Sequence, residues 1–167
     1  ARGTALPVSV DTRKPEVMRA AVQAGAGMVN DVGALRGDGA LETAAALGVP
    51  VVLVHMLGEP GSMQDDPRYD DVVAEVHRVL AERIFAAELA GIARKNIVVD
   101  PGFGSGKTTG HNVLLLAGLE RFAELGVPML AGLSRKRSIG ELTGRAVPGE
   151  RVAGSVAAHL LAAPRRA

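Results

Sequence analysis

The residues best suited to chemistry stand in one run near the middle of the chain, Ile97-Val98-Val99-Asp100-Pro101-Gly102-Phe103-Gly104-Ser105-Gly106-Lys107. A β-branched apolar stretch ends at a carboxylate, and a glycine-rich turn follows at once. Such a turn allows backbone N–H groups and the Asp100 side chain to converge on a polar ligand at the end of a buried strand. The run therefore predicts either a phosphate cradle or the floor of a pocket for another polar molecule.

The end of this run is similar to a nucleotide-binding P-loop. Gly106, Lys107 and Thr108 match the last part of the pattern G-x-x-x-x-G-K-[ST]. The first glycine of that pattern falls at Pro101, which has a fixed φ and no N–H to donate, and Gly110 interrupts the helix that should follow. A P-loop is therefore the less favoured alternative. On the favoured interpretation Asp100 is the working residue and Lys107 has no part in the site.

Composition excludes several classes of protein. The 167 residues suit one domain, and 47% hydrophobic with 2% aromatic residues indicate a core of Val, Leu, Ala and Ile. A net charge of +1, with basic clusters only at 135–137 and 165–166, gives no nucleic-acid footprint. No cysteine is present, which excludes disulfides and thiolate metal sites and agrees with a cytoplasmic location. No stretch has the length of a membrane span, and the first residue, Ala1, indicates a chain that begins inside a longer reading frame.

Short apolar runs alternate with longer segments of helical periodicity. The predicted strands are Leu6–Val10, Met28–Asn30, Val51–His55, Ile97–Val99 and Met129–Leu133. The predicted helices are Pro15–Ala24, Leu41–Leu47, Tyr69–Ala90, Val113–Leu125 and Val152–Leu161. Continuous apolar strands joined by helices indicate a parallel sheet buried on both faces, either an open doubly wound sheet or a (β/α)8 barrel.

Polar residues stand at or just past the carboxyl end of every predicted strand: Asp11, Asn30, His55, Asp100 and Ser134. Both architectures place their ligand site at that edge, but a doubly wound sheet concentrates it at one switch point. Contributions from every strand favour the barrel. A closed barrel needs eight βα units and typically about 250 residues, so this α/β chain is predicted to be an incomplete (β/α)8 TIM barrel with about five parallel units.

The order of the motifs resembles dihydropteroate synthase, a pterin-binding family, along essentially the whole chain. The matching segments are Ser9–Pro15, Val29–Val32, Val54–Met56, Asp100–Gly104, His111–Asn112 and Gly132–Lys136. The resemblance implies a (β/α)8 barrel of which this chain covers strands three to seven and helix seven. Residues 1–167 are then a single pterin-binding domain that is truncated at both ends.

The same resemblance indicates which parts of the family's site the chain lacks. The family's first strand carries an asparagine that meets Mg²⁺ and diphosphate, and its eighth strand carries an Arg-x-His pair. Both would lie outside this sequence, as would the flexible loops of the aminobenzoate site. The resemblance thus implies Mg²⁺ as a cofactor without a ligand in this chain, an inactive isolated fragment, and a homodimer formed through helices near the carboxyl end.

The resemblance also implies roles for particular residues. The family joins 4-aminobenzoate to 6-hydroxymethyl-7,8-dihydropterin diphosphate, and buried carboxylates and amides suit the hydrogen-bonding edge of the pterin ring. Asp100 would accept from the ring N–H groups and Asn30 would offer its amide. Asp11 and Lys136 would bind the ring as catalytic residues, Asp11 by stabilising charge toward the reacting carbon. Each also has a structural alternative: a helix cap for Asp11, turns for Asn30 and Asp100, and a solvated charge for Lys136.

Further residues are assigned to the same substrate site. Met56 would form an apolar wall, Gly104 belongs to the turn, and Ser134 and Arg135 would shape the aminobenzoate site. His55 has no second ligand at metal-binding spacing and is interpreted as a structural histidine. In a separate role, His111 and Asn112 are expected to cap a helix. Ser105 departs from the family, which usually has an aromatic residue there, and the change removes packing of up to about 1 kcal/mol.

Three alternative functions stay open beside a folate-biosynthesis transferase. One is the pterin-binding domain of a methyltransferase, against which the Ser134-Arg135-Lys136 segment argues. Another is a decayed scaffold without a ligand. The third is the P-loop nucleotide binder. A calorimetric titration with ATP that shows no binding would exclude it.

Overall fold

The structure, a computed structural model, describes residues 3–58 and 61–165. Its centre is a parallel sheet of four strands in the spatial order β1-β2-β3-β4. The strands are β1 (Ser9–Asp11), β2 (Met28–Asp31), β3 (Val51–Val54) and β4 (Ile97–Asp100). They pair in parallel register, with Asp11 opposite Asn30 and Val54 opposite Asp100. The carboxyl ends of the strands therefore meet at one edge.

Helices follow the strands along the chain. They are α1 (Pro15–Gln23), α2 (Ala40–Leu47), α3 (Val72–Leu89), α4 (Thr109–Ala117), α5 (Arg137–Thr143) and α6 (Val152–Ala162). Short 3₁₀ segments cover Arg94–Asn96, Leu119–Leu125, Pro148–Arg151 and Ala163–Arg165. The helix predicted over 113–125 begins earlier, at Thr109, and is divided at Gly118 into α4 and a 3₁₀ segment. Helix α5 was not predicted from the sequence.

Strand order supports a segment of a barrel. Every described strand lies next to its neighbour in sequence, whereas a doubly wound sheet reverses its order at a switch point. The predicted α/β class with parallel strands is confirmed.

The fifth predicted strand is wrong over most of its length. Only Met129 forms a parallel bridge, to Val99, with Leu130 N donating to Val99 O at 2.8 Å. Beyond Asp100, β4 continues into Pro101, which has no N–H for the next rung of the ladder. Pairing with 129–133 therefore stops after one bridge.

Apolar packing on both faces fixes the sheet. All four residues of β3 are buried, and α3 lays Val76, Leu80 and Ile84 against the sheet at helical spacing. The Asp71 side chain caps α3 by accepting from the N–H groups of Val73 and Ala74. This core holds the strand ends in place. No helix in the described parts of the chain is long and apolar enough to cross a membrane.

Candidate functional site

A cavity of about 140 Å³ lies at the carboxyl edge of the sheet. Four of the predicted site residues line it: Asp11, Asn30, Asp100 and Lys136. Strand register explains the convergence, since Asp11 and Asn30 are directly paired and Asp100 ends the strand beyond β3. The volume suits one flat ring better than a large ligand, because sites for drug-sized ligands occupy about 300–1,000 Å³.

The polar groups of these side chains are available to a ligand. Among residues 3–58 and 61–165, no hydrogen-bond partner is present for the Asp11 carboxylate, the Asn30 amide or the Lys136 ammonium. The second oxygen of Asp100, Oδ2, likewise has no donor among them. Unsatisfied acceptors and donors at one edge are the expected chemistry of a polar binding site.

Asp100 is the most buried of the four. It is 8% exposed, and its Oδ1 accepts the N–H of Gly102 at 2.7 Å. Burial raises the pKa of Asp100, while the Gly102 N–H and the charges of Lys136 and Lys107 oppose that rise. A desolvated carboxylate with one occupied and one open oxygen is suited to accept from a ligand N–H.

The glycine turn after β4 approaches β3 very closely. Gly102 has φ +72°, and a Cβ placed there would lie 1.8 Å from the carbonyl oxygen of His55. Ser105 N donates to Gly102 O at 3.0 Å and closes the turn. Only glycine fits this position, because an L side chain would meet both a left-handed backbone and a fixed carbonyl.

Helix α4 anchors the far side of the turn. Asn112 Oδ1 accepts from Gly104 N at 2.8 Å, and Asn112 Nδ2 donates to Thr108 O at 2.8 Å. The cap itself is Thr108, which forms a reciprocal capping box with His111. His111 thus takes part in the predicted cap, while Asn112 ties the helix to the turn.

Lys107 lies beneath the turn and is 3% exposed. Its Nζ is 2.9 Å from His55 Nδ1 and 3.0 Å from each of the carbonyl oxygens of Gly102 and Ser105. These three partners occupy the three N–H groups of an ammonium, so none is left for a phosphate. The P-loop alternative therefore fails on geometry, and Lys107 supports the turn from outside the lining of the small cavity.

His55 is a buried structural histidine, as predicted. Burial, followed by the charges of Lys107 and Arg36, lowers the pKa of His55 to about 3. The ring is therefore neutral at physiological pH, and one of its nitrogens can accept from Lys107. Its hydrogen-bonding role was not evident from sequence, since Lys107 lies 52 positions away.

The loop after β2 is a further feature that sequence reasoning missed. Asp31 accepts from Gly33 N at 2.6 Å and from Leu35 N at 3.0 Å, which uses both of its oxygens. Ala34 and Leu35 adopt φ of +51° and +57°, and the Arg83 guanidinium donates to both of their carbonyls. Hydrogen bonds accepted by Asp31 and donated by Arg83 thus hold a strained loop directly beside Asn30.

The remaining predicted residues lie outside the lining of this cavity. Met56 is buried, and its carbonyl accepts from Arg36 Nη2 at 3.1 Å. Ser134 and Arg135 are exposed after Leu133, and Arg135 has φ +53° with its N–H donated to Ser155 Oγ. Their assignment to the substrate site stays a prediction.

A larger cavity of about 400 Å³ opens on the other side of the turn. Gly104 contributes to its wall, which runs from loop 63–67 to α4 and α5. Its carboxylate, Glu141, is already engaged by Arg137 and by the Thr109 hydroxyl. Of the two cavities, the smaller one holds the free polar groups and is the better candidate for chemistry.

No group of three or more His, Asp or Glu side chains within the described ranges is placed to hold a metal ion. These residues therefore provide no all-protein cage for Mg²⁺, which proteins usually hold through one or two carboxylates and substrate phosphates, and no chemical step is assigned to the ion.

Comparison with known proteins gives a consistent family. The family model described as pterin binding enzyme matches residues 1–166. The dihydropteroate synthase of Escherichia coli (strain K12) is 49% identical over 156 residues, which are 93% of this chain and 55% of that protein.

Solved structures agree with the sequence comparison. Dihydropteroate synthase from Xanthomonas albilineans in complex with 7,8-dihydropteroate has a TM-score of 0.92 at 70% identity, covering 98% of this chain and 60% of that one. The Thermus thermophilus enzyme in complex with 4-aminobenzoate has a TM-score of 0.90 at 49% identity, covering 96% and 65%. The chain thus spans 55% to 65% of the length of these relatives.

Proposed function

The chain belongs to the pterin-binding enzyme family, and from that premise we propose that it contributes the pterin site of a dihydropteroate synthase. The reaction is the transfer of a pterin-methyl group from its diphosphate to 4-aminobenzoate in folate biosynthesis. The names and bound ligands of the relatives support this choice of substrates.

One observation carries the proposal: Asp11, Asn30, Asp100 and Lys136 converge on one small cavity, and apart from the Gly102 N–H on Asp100 Oδ1 their functional groups have no hydrogen-bond partner among residues 3–58 and 61–165. The edge of a pterin ring alternates N–H donors with carbonyl and ring-nitrogen acceptors. Two carboxylates, an amide and an ammonium supply the complementary set. Apolar Val54 and the buried Phe103 also line the cavity.

We assign Asp100 Oδ2 as the acceptor for the pterin amino and ring N–H groups, because this oxygen is open and poorly solvated. Asn30 extends the same contacts from the neighbouring strand. Lys136 donates to the ring carbonyl and is attracted by Asp100. When the ligand binds, its hydrogen bonds to these groups replace those that water makes to them in the free protein.

Asp11 is the residue assigned to the chemical step together with Lys136. In the proposed reaction the 4-aminobenzoate nitrogen forms a bond to the pterin methylene carbon, the carbon–oxygen bond to diphosphate breaks, and the amine proton leaves. Positive charge develops on the pterin side, and the Asp11 carboxylate stabilises it from the cavity wall. Exposed Ser134 and Arg135 are assigned to the carboxylate of 4-aminobenzoate, and Met56 and Gly104 to the surrounding wall.

The diphosphate half of the reaction makes demands that the described residues do not meet. Mg²⁺ would neutralise the leaving diphosphate, yet no donor cluster for it is present in residues 3–58 and 61–165. We therefore expect this chain by itself to bind a pterin without turning over 4-aminobenzoate, and measured turnover by these 167 residues would overturn that expectation. A homodimer and a cytoplasmic location belong to the same proposal.

Calorimetric titration of the chain with 6-hydroxymethylpterin tests the proposed site. We expect saturable binding that Asp100→Asn weakens by about 10- to 100-fold, because charge-assisted hydrogen bonds contribute about 1.5–3 kcal/mol. Asp38→Asn is the matched control, since Asp38 is exposed and lies outside the cavity lining. Absence of binding by the unaltered chain, or equal affinity of Asp100→Asn, would refute the proposal.

A further inference from the structure

The proposed function makes no use of Lys107, although this side chain is buried beneath the turn that carries Asp100. Its Nζ contacts His55 Nδ1 at 2.9 Å and the carbonyl oxygens of Gly102 and Ser105 at 3.0 Å each. An ammonium group has three N–H donors, and these acceptors satisfy all of them. The charged form therefore fits the site without an unpaired donor.

The neutral amine fits the same positions. Its two N–H groups serve the carbonyls, and its lone pair accepts from His55 when that ring carries hydrogen on Nδ1. In passing from the charged to the neutral form, Lys107 gives one hydrogen to Nδ1 and His55 releases the hydrogen of Nε2. One proton leaves in net, and no heavy atom has to move.

Gly102 connects this pair to the proposed pterin site. Its N–H is donated to Asp100 Oδ1 at 2.7 Å, and its carbonyl accepts from Lys107 at 3.0 Å. The orientation of this one residue therefore sets the orientation of the Asp100 carboxylate. Resting on the proposed function, we propose that Lys107 is a positioning residue for Asp100 and that it shares one removable proton with His55.

The charges around the pair come from several elements. Within the described ranges, the titratable and charged groups that face it are Asp100 at the end of β4, Lys136 before α5, Arg36 after β2, and Tyr69 before α3. Burial lowers the pKa of Lys107 to about 7, with Lys136 adding to the decrease and Asp100 opposing it. Since the pKa of His55 lies near 3, the pair exchanges its proton with solvent near neutral pH while the imidazole stays uncharged.

The charge of the pair acts on Asp100. When the proton leaves, Asp100 loses a nearby cation, and its open oxygen attracts ring N–H groups more strongly. We expect the pterin affinity of the chain to rise between pH 6 and pH 8. In Lys107→Met this rise is absent, and the affinity is lower by about tenfold because the Gly102 carbonyl loses its donor.

Nitrogen-15 NMR of the imidazole gives a readout that does not depend on pterin binding. In the unaltered chain we expect the hydrogen of His55 to move from Nε2 at pH 6 to Nδ1 at pH 8. The result needs no variant, so a folding failure of Lys107→Met does not affect it. An unchanged His55 tautomer across this range would overturn the shared proton.

Calorimetry with 6-hydroxymethylpterin at pH 6, 7 and 8 then tests the positioning role. Lys95→Met is the control, because Lys95 is exposed in a 3₁₀ turn, and it should retain the rise seen in the unaltered chain. The titration of the pterin ring itself is common to all three proteins. A rise retained in Lys107→Met would overturn the positioning role. Failure of the unaltered chain to bind pterin would instead overturn the proposed function, and the NMR result would still decide the shared proton.

Discussion

Gly102→Ala tests how the glycine turn is built. The added Cβ would stand 1.8 Å from His55 O, whereas ordinary contacts begin at 3.4 Å. The turn or the end of β3 must therefore move by more than an ångström. Gly144→Ala is the matched control, because Gly144 has nearly the same φ, +68° against +72°, and nothing lies within 4 Å of a Cβ there.

The two substitutions share one cost and differ in another. A left-handed alanine costs about 1–2 kcal/mol at either position. At Gly102 the displacement also breaks the hydrogen bonds that this residue makes with Asp100 Oδ1 and Lys107 Nζ, at about 1–1.5 kcal/mol each. We expect the free energy of unfolding to fall by about 3–5 kcal/mol for Gly102→Ala and by about 1–2 kcal/mol for Gly144→Ala.

Urea unfolding followed by circular dichroism measures both values, and pterin calorimetry measures the consequence for the site. Gly102→Ala should also lose pterin binding, while Gly144→Ala should keep it. An equal loss of stability in the two variants would refute the reasoning, because it would show that the close approach to His55 carries no energetic weight.

Two further predictions concern the supports of the site. The folded state keeps His55 neutral to about pH 3, whereas an unfolded histidine gains its proton below about pH 6.5, so stability should fall with decreasing pH below 6.5 by about 1.4 kcal/mol per unit. Urea unfolding between pH 5 and 7 checks this, with a smaller slope in His55→Gln and an unchanged slope in exposed His159→Gln; equal slopes would contradict it. Arg83→Lys should lower the free energy of unfolding by about 2 kcal/mol, because lysine cannot reproduce the paired hydrogen bonds of the guanidinium to the carbonyls of Ala34 and Leu35. The exposed Arg78→Lys should leave the free energy of unfolding almost unchanged in the same assay. A loss no larger for Arg83→Lys than for Arg78→Lys would show that the loop after β2 does not depend on the fork.

Local sequence signals were sufficient for the four strands of the sheet and for three members of the cavity, whereas Lys136 was assigned from the resemblance to dihydropteroate synthase. Each strand is a short apolar run that ends at a polar residue, so Asp11, Asn30 and Asp100 could be placed at strand ends without any tertiary information. Parallel pairing then forces these ends to one edge. The cavity at that edge is a consequence of topology, which is why spacing along the chain predicted it.

Long-range contacts explain what sequence could not predict. Lys107 follows three glycines of the turn and was predicted to have no part in the site, yet it is paired with His55, which directly follows β3. Arg83 reaches back 49 positions from α3 to the carbonyl of Ala34. Neither pair of residues gives a periodic or local pattern in the sequence, so both contacts could be identified only from the folded structure.

In two places, one polar residue holds the backbone and a nearby residue of similar chemistry lines the cavity. After β2, both carboxylate oxygens of Asp31 accept hydrogen bonds from the loop backbone, whereas the adjacent Asn30 lines the cavity. Near the end of β4, Lys107 donates to the backbone carbonyls of the turn, whereas Lys136 lines the cavity.

A side chain whose hydrogen bonds hold backbone cannot also serve a ligand without loosening that backbone. Asp100 is the exception, because one oxygen accepts from Gly102 N and the other has no donor in the described part of the chain. Turn geometry and ligand binding therefore meet in a single carboxylate. For this reason, changes in the turn should reach the ligand through Asp100 before they reach any other member of the site.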